Sequence, residues 1–256
     1  MSKRRKLDAA MSAIRAKYGP QAIQKSSASL TGPHSATRPT GFPGLDRVLG
    51  GIPQGRITEL VGAFGTSGKV TLALKMLASA QQAGDLAAWL DLGQTFDPDY
   101  AYRCGVDLRR LLLVEPQGAL EALDIAHQLA AGRGLGLIAF DSTNDLLVAG
   151  PDVRLPATML RRIARDLRHT HCSLVFLTSL SGHDPSSPIH YPDGFSLVEH
   201  AALRLHIEKE QWLRGNGDTR GYRIRVSILK SATLGAGKAV TLDIRMNGAV
   251  AGDGIS

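Results

Sequence analysis

The sequence predicts an α/β protein. A mainly parallel twisted sheet is flanked by helices, a helix precedes it at the N-terminus, and an antiparallel strand extension follows it at the C-terminus. Three observations predict this. Runs such as LGLIAFD and CSLVFLT are continuously apolar rather than alternating, as in strands buried on both faces. Segments of helical periodicity lie between them, the order that gives a covered parallel sheet. Near the end, segments of mixed polarity flank a hydrophilic stretch, which marks antiparallel strands and a turn.

The elements follow in order. Leu7, Ala10, Met11, Ile14 and Tyr18 recur at helical spacing over residues 6–17, and Gly19-Pro20 stops the helix. Lys3, Arg4, Arg5 and Lys6 precede this stripe. A short helix alone is marginal, so the stripe must pack on its own core or on a neighbouring subunit. Residues 21–38 read as linker, with a short strand at 22–25, so the domain boundary is expected between residues 1–38 and 39–256. A strand at 56–61 feeds a glycine-rich loop, and a helix at 70–83 follows it. Then come a strand at 87–91, a short helix at 99–104, a strand at 111–114, a helix at 120–131 and a strand at 135–141. A helix at 156–169 has Pro156 at its first position, and a strand at 172–178 follows. Residues 181–194 form a long polar loop. Strands at 201–209, 222–230 and 239–246 close the fold, with residues 214–221 as the hairpin turn.

With 256 residues, 43% of them hydrophobic, the chain can bury one substantial core. Its charge of +7 suits a polyanionic partner, either nucleic acid or an anionic membrane surface, or is ordinary solubility charge. Cys104 and Cys172 stand alone, without a C-x-x-C pair, so neither a zinc site nor a disulfide framework is indicated. Free thiols suit a reducing cytoplasm. No secretory h-region and no membrane-length apolar run is present, so a cytoplasmic protein without a membrane partner is expected.

The chemistry concentrates in GAFGTSGKVT, residues 62–71. Glycines let backbone N–H groups point at anionic oxygens, the following helix adds its positive end, and a lysine adds a mobile charge. Gly62, Gly65, Thr66, Ser67, Gly68, Lys69, Val70 and Thr71 are therefore candidate nucleotide-binding residues. The spelling departs from G-x-x-x-x-G-K-[ST]. Five residues separate Gly62 from Gly68, Val70 stands where a hydroxyl holds magnesium, and Thr71 comes one position late. A strand-to-helix turn that keeps only the shape is the alternative. Asp141 ends an apolar strand, where an acid can hold a metal's water shell or simply cap a turn. Arg154, Arg161, Arg162, Arg165 and Arg168 lie on or before one helix, and Arg161, Arg165 and Arg168 share a face. They read as a DNA-binding surface or as a solvated basic face. Tyr191, in a loop with no arginine or lysine, offers a ring for stacking on a base.

The order of segments resembles the RecA family over nearly the whole chain. KLDAAMSAIRAKYGPQAI resembles the helix and strand through which RecA subunits link. TGFPGLDRVLGGIPQGRITELVG resembles the approach to the family's phosphate loop, and LIAFDS its Walker B strand. WLDLGQTFDPDYAYRCGVDLRRLLLVEPQGALEALDIA and GFSLVEHAALRLHIEK resemble the segments after its phosphate loop and its second DNA loop. The resemblance implies a RecA-like nucleotide-binding core without the family's C-terminal domain. It implies that Asp97 and Tyr100 contact the adenine side of ATP, that Asp141 is the Walker B acid, and that Lys230 is one of two lysines reaching a neighbour's phosphates. The other lysine position is Ile228. The family's water-activating glutamate corresponds to Gly93, with Gln94 beside it, and its Asn-Gln pair to Thr178 and Ser179. Its first DNA loop is shortened to AGPDVRLP, and its second corresponds to residues 181–194.

Binding parts are thus partly kept, while hydrolysis parts are lost together. The implied cofactor is ATP held weakly or without hydrolysis, with magnesium poorly held and no catalytic residue nominated. Shortened RecA-like proteins of the ImuA type, which accompany a translesion polymerase in damage-induced mutagenesis, share this pattern. The implied partners are a translesion polymerase or a RecA filament subunit, single-stranded DNA, and a second copy through the N-terminal helix. The alternative is an active DNA-dependent ATPase or recombinase with a relocated acid, for which Glu59 and Glu115 are the candidates. An ATP-binding RecA-core regulator without DNA, or a structural subunit without ligand, would share the fold.

Overall fold

The structure is a computed structural model that describes residues 36–65, 67–144, 146, 157–180, 196–215, 218–232, 236–245 and 250–255, together with Ser12 and Ala16. Two compact units divide it, Met1–Ser35 and Ala36–Ser256. Ser12 and Ala16 are helical. The rest of the expected N-terminal helix and the strand at 22–25 lie outside the described residues. The second unit begins at Ala36 because β1 (Thr37–Arg38) pairs antiparallel with β2 (Ile52–Pro53). Helix α1 (Pro43–Leu49) lies between them, with proline in its first turn and Gly50 as a left-handed cap.

A nine-stranded sheet carries the fold, in the order β11-β10-β9-β8-β3-β7-β6-β4-β5. Its parallel part is formed by β3 (Ile57–Ala63), β4 (Leu86–Asp91), β5 (Leu111–Val114), β6 (Leu135–Asp141), β7 (Ser173–Leu180) and β8 (Ala201–Gly215). From β8 onward the pairing is antiparallel, through β9 (Asp218–Ser231), β10 (Ala239–Arg245) and β11 (Val250–Ile255). The helices are α2 (Lys69–Gln82), α3 (Pro98–Arg103), α4 (Ala119–Ala131), α5 (Ala157–Leu167) and α6 (Leu197–His200), with a 3-10 turn at Leu108–Arg110. The expected α/β class with a mainly parallel sheet and a C-terminal antiparallel extension is the observed one.

Two apolar layers cover the sheet. On one face Leu72, Met76 and Leu77 of α2 cluster with Leu137, Ala139, Val175 and Leu177. On the other, Leu123 of α4 and Leu160, Ile163 and Leu167 of α5 cluster with Ile138, Phe140, Leu174 and Phe176. Successive residues of β6 and β7 thus alternate between two cores, which is why their runs are apolar throughout. The rings of Phe140 and Phe176 stand 5.0 Å apart in a tilted pair. Burying each such side chain stabilises the fold by about 1.5–3 kcal/mol.

The C-terminal hairpin departs from expectation. Residues 214–221 are not a turn: β8 runs to Gly215 and β9 resumes at Asp218. Pairing of β3 with β8 ends at Ile207, so among the described residues the rest of β8 has β9 as its only strand neighbour. On this arm Ile224 lies in the core and Tyr222 packs against it, whereas Glu208, Glu210, Gln211 and Arg214 are exposed, so it carries no regular apolar period and its tip reads as loop. The expected helix at 156–169 spans Ala157–Leu167, and the last strand is followed by a further one, β11. The loop at 181–194 lies outside the described residues. No helix among the described residues is long and apolar enough to cross a membrane.

Candidate functional site

The loop between β3 and α2 is shaped by three glycines, for two reasons. Gly65 and Gly68 have φ of 81° and 93°, where a side chain is strained. Gly62 is required by close approach. A Cβ there would lie 2.7 Å from the Ile207 carbonyl oxygen and 2.7 Å from Ser67 Oγ, so the loop folds back over its own strand. Gly68 then opens α2, whose first-turn N–H groups and positive dipole end make an anion-binding terminus.

Lys69 is 4% exposed. Its Nζ donates to the Ala63 carbonyl at 3.1 Å. Burial pushes its pKa down, and the nearby Asp141 carboxylate partly restores it. An ammonium is therefore held over the loop, beside the acid that ends β6. Asp141 lies in register with Asp91, and its carbonyl accepts from Leu92 N at 2.8 Å.

Thr71 points the other way. Its Oγ1 lies 2.6 Å from the Tyr100 hydroxyl and 2.7 Å from that of Tyr222, tying α2 to α3 and β9. Val70 supplies no hydroxyl, so the loop's one hydroxyl after Lys69 is engaged by two phenols. Desolvation pushes the Tyr100 phenol pKa up, so it stays protonated.

Two cavities flank the loop. One, of about 260 Å³, is lined by Gly65, Gly68, Val70, Thr71 and Tyr100 together with Lys209, Trp212 and Tyr222. The second, of about 300 Å³, lies among Ala63, Phe64, Ser67 and residues 206–209 of β8. The structure thus gathers most of the predicted loop residues and Tyr100 at one mouth, with Gly62 beneath Ser67 and Asp141 beside Lys69. Thr66 lies outside the described residues.

The other positions take part in local hydrogen bonds. Asp97 is the N-cap of α3, accepting from Tyr100 N at 2.9 Å, ahead of Pro98 in the first turn. Asp91 accepts from Thr95 N and Phe96 N, which closes the turn holding the exposed Gly93 and Gln94. Ser179 is clamped by Asn144, which donates to its carbonyl at 2.8 Å and accepts from its N–H at 2.7 Å. Lys230 Nζ donates to the Val198 carbonyl at 2.6 Å, and burial and then Arg204 lower its pKa.

On α5, Arg161, Arg162 and Arg165 are exposed, as is Arg168 just beyond it. Arg165 pairs with Asp166 at 2.8 Å, and Asp166 also bonds His127. Arg168 approaches Arg56, whose pKa is lowered by burial first and by that neighbour second. Arg154 and Tyr191 lie outside the described residues.

Sequence reasoning missed Lys209, Trp212 and Tyr222. Their signal was two aromatic residues placed either side of the turn, where the structure pairs Trp212 with Tyr222 across the hairpin.

A family model described as the RecA N-terminal domain matches residues 5–251. The chain is 33% identical over 273 residues to Protein RecA of Rubrobacter xylanophilus, covering 100% of this chain and 77% of that protein. It is 33% identical over 267 residues to Protein RecA of Kineococcus radiotolerans, covering 98% and 75%. Protein RecA of a Roseiflexus species is 32% identical over 262 residues, covering 96% and 74%.

Proposed function

The chain belongs to the RecA family, and on that premise we propose a DNA-repair accessory role of the ImuA type, in damage-induced (SOS) mutagenesis. In this reading the protein holds ATP without efficient hydrolysis and holds magnesium poorly. It acts in the cytoplasm through protein partners, a translesion polymerase or a RecA filament subunit, and through single-stranded DNA along α5. Residues 1–38 serve as a subunit contact, including one between two copies of the chain.

One observation carries this reading. The Thr71 hydroxyl is bonded to Tyr100 and Tyr222, while Val70 and Gly93 stand where a metal-holding hydroxyl and a water-activating acid would be needed. A general base is worth about two to four orders of magnitude in rate. Lys69 beside Asp141 supports retained phosphate binding.

The alternative, an active DNA-dependent ATPase or recombinase, also draws on Lys69 and Asp141 but needs a base. The test is ATP hydrolysis by the purified protein with and without single-stranded DNA, paired with a pull-down from DNA-damaged cells. No stimulated turnover, and recovery of a translesion polymerase or RecA, is expected. DNA-stimulated hydrolysis that Lys69→Ala abolishes would overturn the proposal.

A further inference from the structure

We propose a second phosphate-binding site, for a backbone phosphate of nucleic acid, in the cavity between the α4–β6 and α5–β7 turns, with Arg133, His169 and His171 as its donors. This extends the reading of α5 as a DNA surface and rests on it. The cavity, of about 200 Å³, is lined by Arg133, His169, Thr170 and His171, with Asp85 and Gly136 in the rest of its wall. It lies where β4, β6 and β7 begin, whereas the glycine loop follows the end of β3. A strand of seven residues such as β6 puts roughly 20 Å between the two ends. The cavity is therefore separate from the glycine loop and its flanking pockets.

Both turns hold their side chains in place. Thr170 Oγ1 donates to the Leu167 carbonyl at 2.9 Å and accepts from Cys172 N at 3.2 Å, which fixes the turn between His169 and His171. Both histidines are exposed, as is Arg133. Each imidazole brings an N–H in either tautomer, and the guanidinium brings five. Arg133 follows the end of α4 with φ of 57°, a left-handed position that glycine usually fills. The chain accepts that strain with an arginine on the cavity wall.

The wall is positive despite its acid. Among the described residues, Asp85 is the one carboxylate lining the cavity. It pairs with Arg38, which is 4% exposed and whose Nε has no hydrogen-bond partner among the described residues. Arg110 donates to the carbonyls of Gly84 and Asp85. With Arg133, three guanidinium groups are set against one carboxylate. Asp85 is seated by a β-bulge at Gly136, where a Cβ would lie 2.4 Å from its Oδ2.

The surroundings favour a polymer over a lone anion. Gly55 packs on the same turn, since a Cβ there would lie 2.9 Å from the Thr170 carbonyl oxygen. Arg56 therefore stands beside it, where Arg168 approaches. Basic groups thus run from α5 through Arg168 and Arg56 to the cavity. A row of cations along a surface matches successive phosphates of one strand.

Filter binding of an oligothymidine to the full-length protein across a salt series tests this. Glycine suits the backbone at position 133, so Arg133→Gly should keep the fold, which thermal unfolding checks. It should lower the slope of log affinity against log salt by about 0.7, the share of one single-strand phosphate. At low salt it should weaken binding by about tenfold, the worth of a charged hydrogen bond. His171→Gln, on the other turn, should weaken binding by a smaller factor. Inorganic pyrophosphate, a free source of the same group, is titrated into Lys69→Ala protein, whose glycine loop is weakened, with and without Arg133→Gly. Unchanged oligothymidine binding by both turn variants overturns this site, and if Arg161→Ala still weakens binding the α5 reading stands. An Arg133→Gly loss confined to pyrophosphate overturns nucleic acid as the occupant. Failure of the unmodified protein to bind oligothymidine overturns both readings.

Discussion

Arg204 and Glu59 form an ion pair between β8 and β3, with side chains only 4% and 2% exposed. The other Glu59 oxygen accepts from Thr178 Oγ1 at 2.9 Å, and Thr178 Oγ1 in turn accepts from Thr143 Oγ1. Glu59 is the acid nearest the loop along the chain, yet both its oxygens are spent inside the sheet. Removing one member leaves an uncompensated buried charge, so Glu59→Ala should lose about 3–5 kcal/mol in urea unfolding. The paired change Glu59→Leu with Arg204→Met should recover most of it. A Glu59→Ala protein of unchanged stability would contradict this arrangement.

Gly62 and Gly65 should respond differently to substitution. A Cβ on Gly62 meets the Ile207 carbonyl and Ser67, whereas one on Gly65 meets nothing within 4 Å. Gly62→Ala should therefore cost about 1–3 kcal/mol and displace the loop. Gly65→Asn, a residue that tolerates the left-handed region, should cost less than about 1 kcal/mol. Thermal unfolding of both variants, with tripolyphosphate binding as the second readout, checks the contrast.

The legible and illegible parts divide by range and by solvent. β6 and β7 were readable because both of their faces are buried, which leaves an unbroken apolar run. The tip of the hairpin, read as a turn over residues 214–221, was not, because it is largely exposed and burial imposes no period there. In the site, Gly65, Gly68 and Lys69 were legible because their constraints are local, two positive φ angles and a hydrogen bond to Ala63. The engagement of Thr71 was not, since its partners lie 29 and 151 residues away. Asp97 caps the helix that starts at Pro98, as an acid before proline at a helix start signals.

Lys69 sets a sign that pH can test. Burial lowers its pKa from the usual 10.5, so the unfolded chain holds this proton more tightly than the folded one. Stability tied to Lys69 therefore rises with pH between the lowered value and 10.5, and is complete above that window. Lys69→Met should raise the urea midpoint at neutral pH and remove that alkaline rise. The same change should weaken tripolyphosphate binding by about tenfold to a hundredfold, the worth of a charged hydrogen bond. In the unmodified protein, anion affinity should fall as pH climbs into the window. Equal pH profiles for both proteins would exclude this role for Lys69.

The arginines of α5 should not contribute equally to nucleic-acid binding. Arg165 donates to Asp166, whose carboxyl pKa is held far below the usual range first by Arg165 and then by His127. That carboxylate competes with phosphate for the Arg165 guanidinium. Arg161 and Arg168 have no acidic partner among the described residues, and Arg168 faces Arg56. A phosphate between Arg168 and Arg56 would relieve like-charge repulsion, which favours binding there. Each single-strand phosphate contact contributes about 0.7 to the slope of log affinity against log salt. Arg161→Ala and Arg168→Ala should each lower that slope by about 0.7, while Arg165→Ala should change it by less. Filter binding of an oligothymidine across a salt series measures all three. If Arg165→Ala produced the largest loss, the Asp166 pair would be a surface contact that DNA displaces.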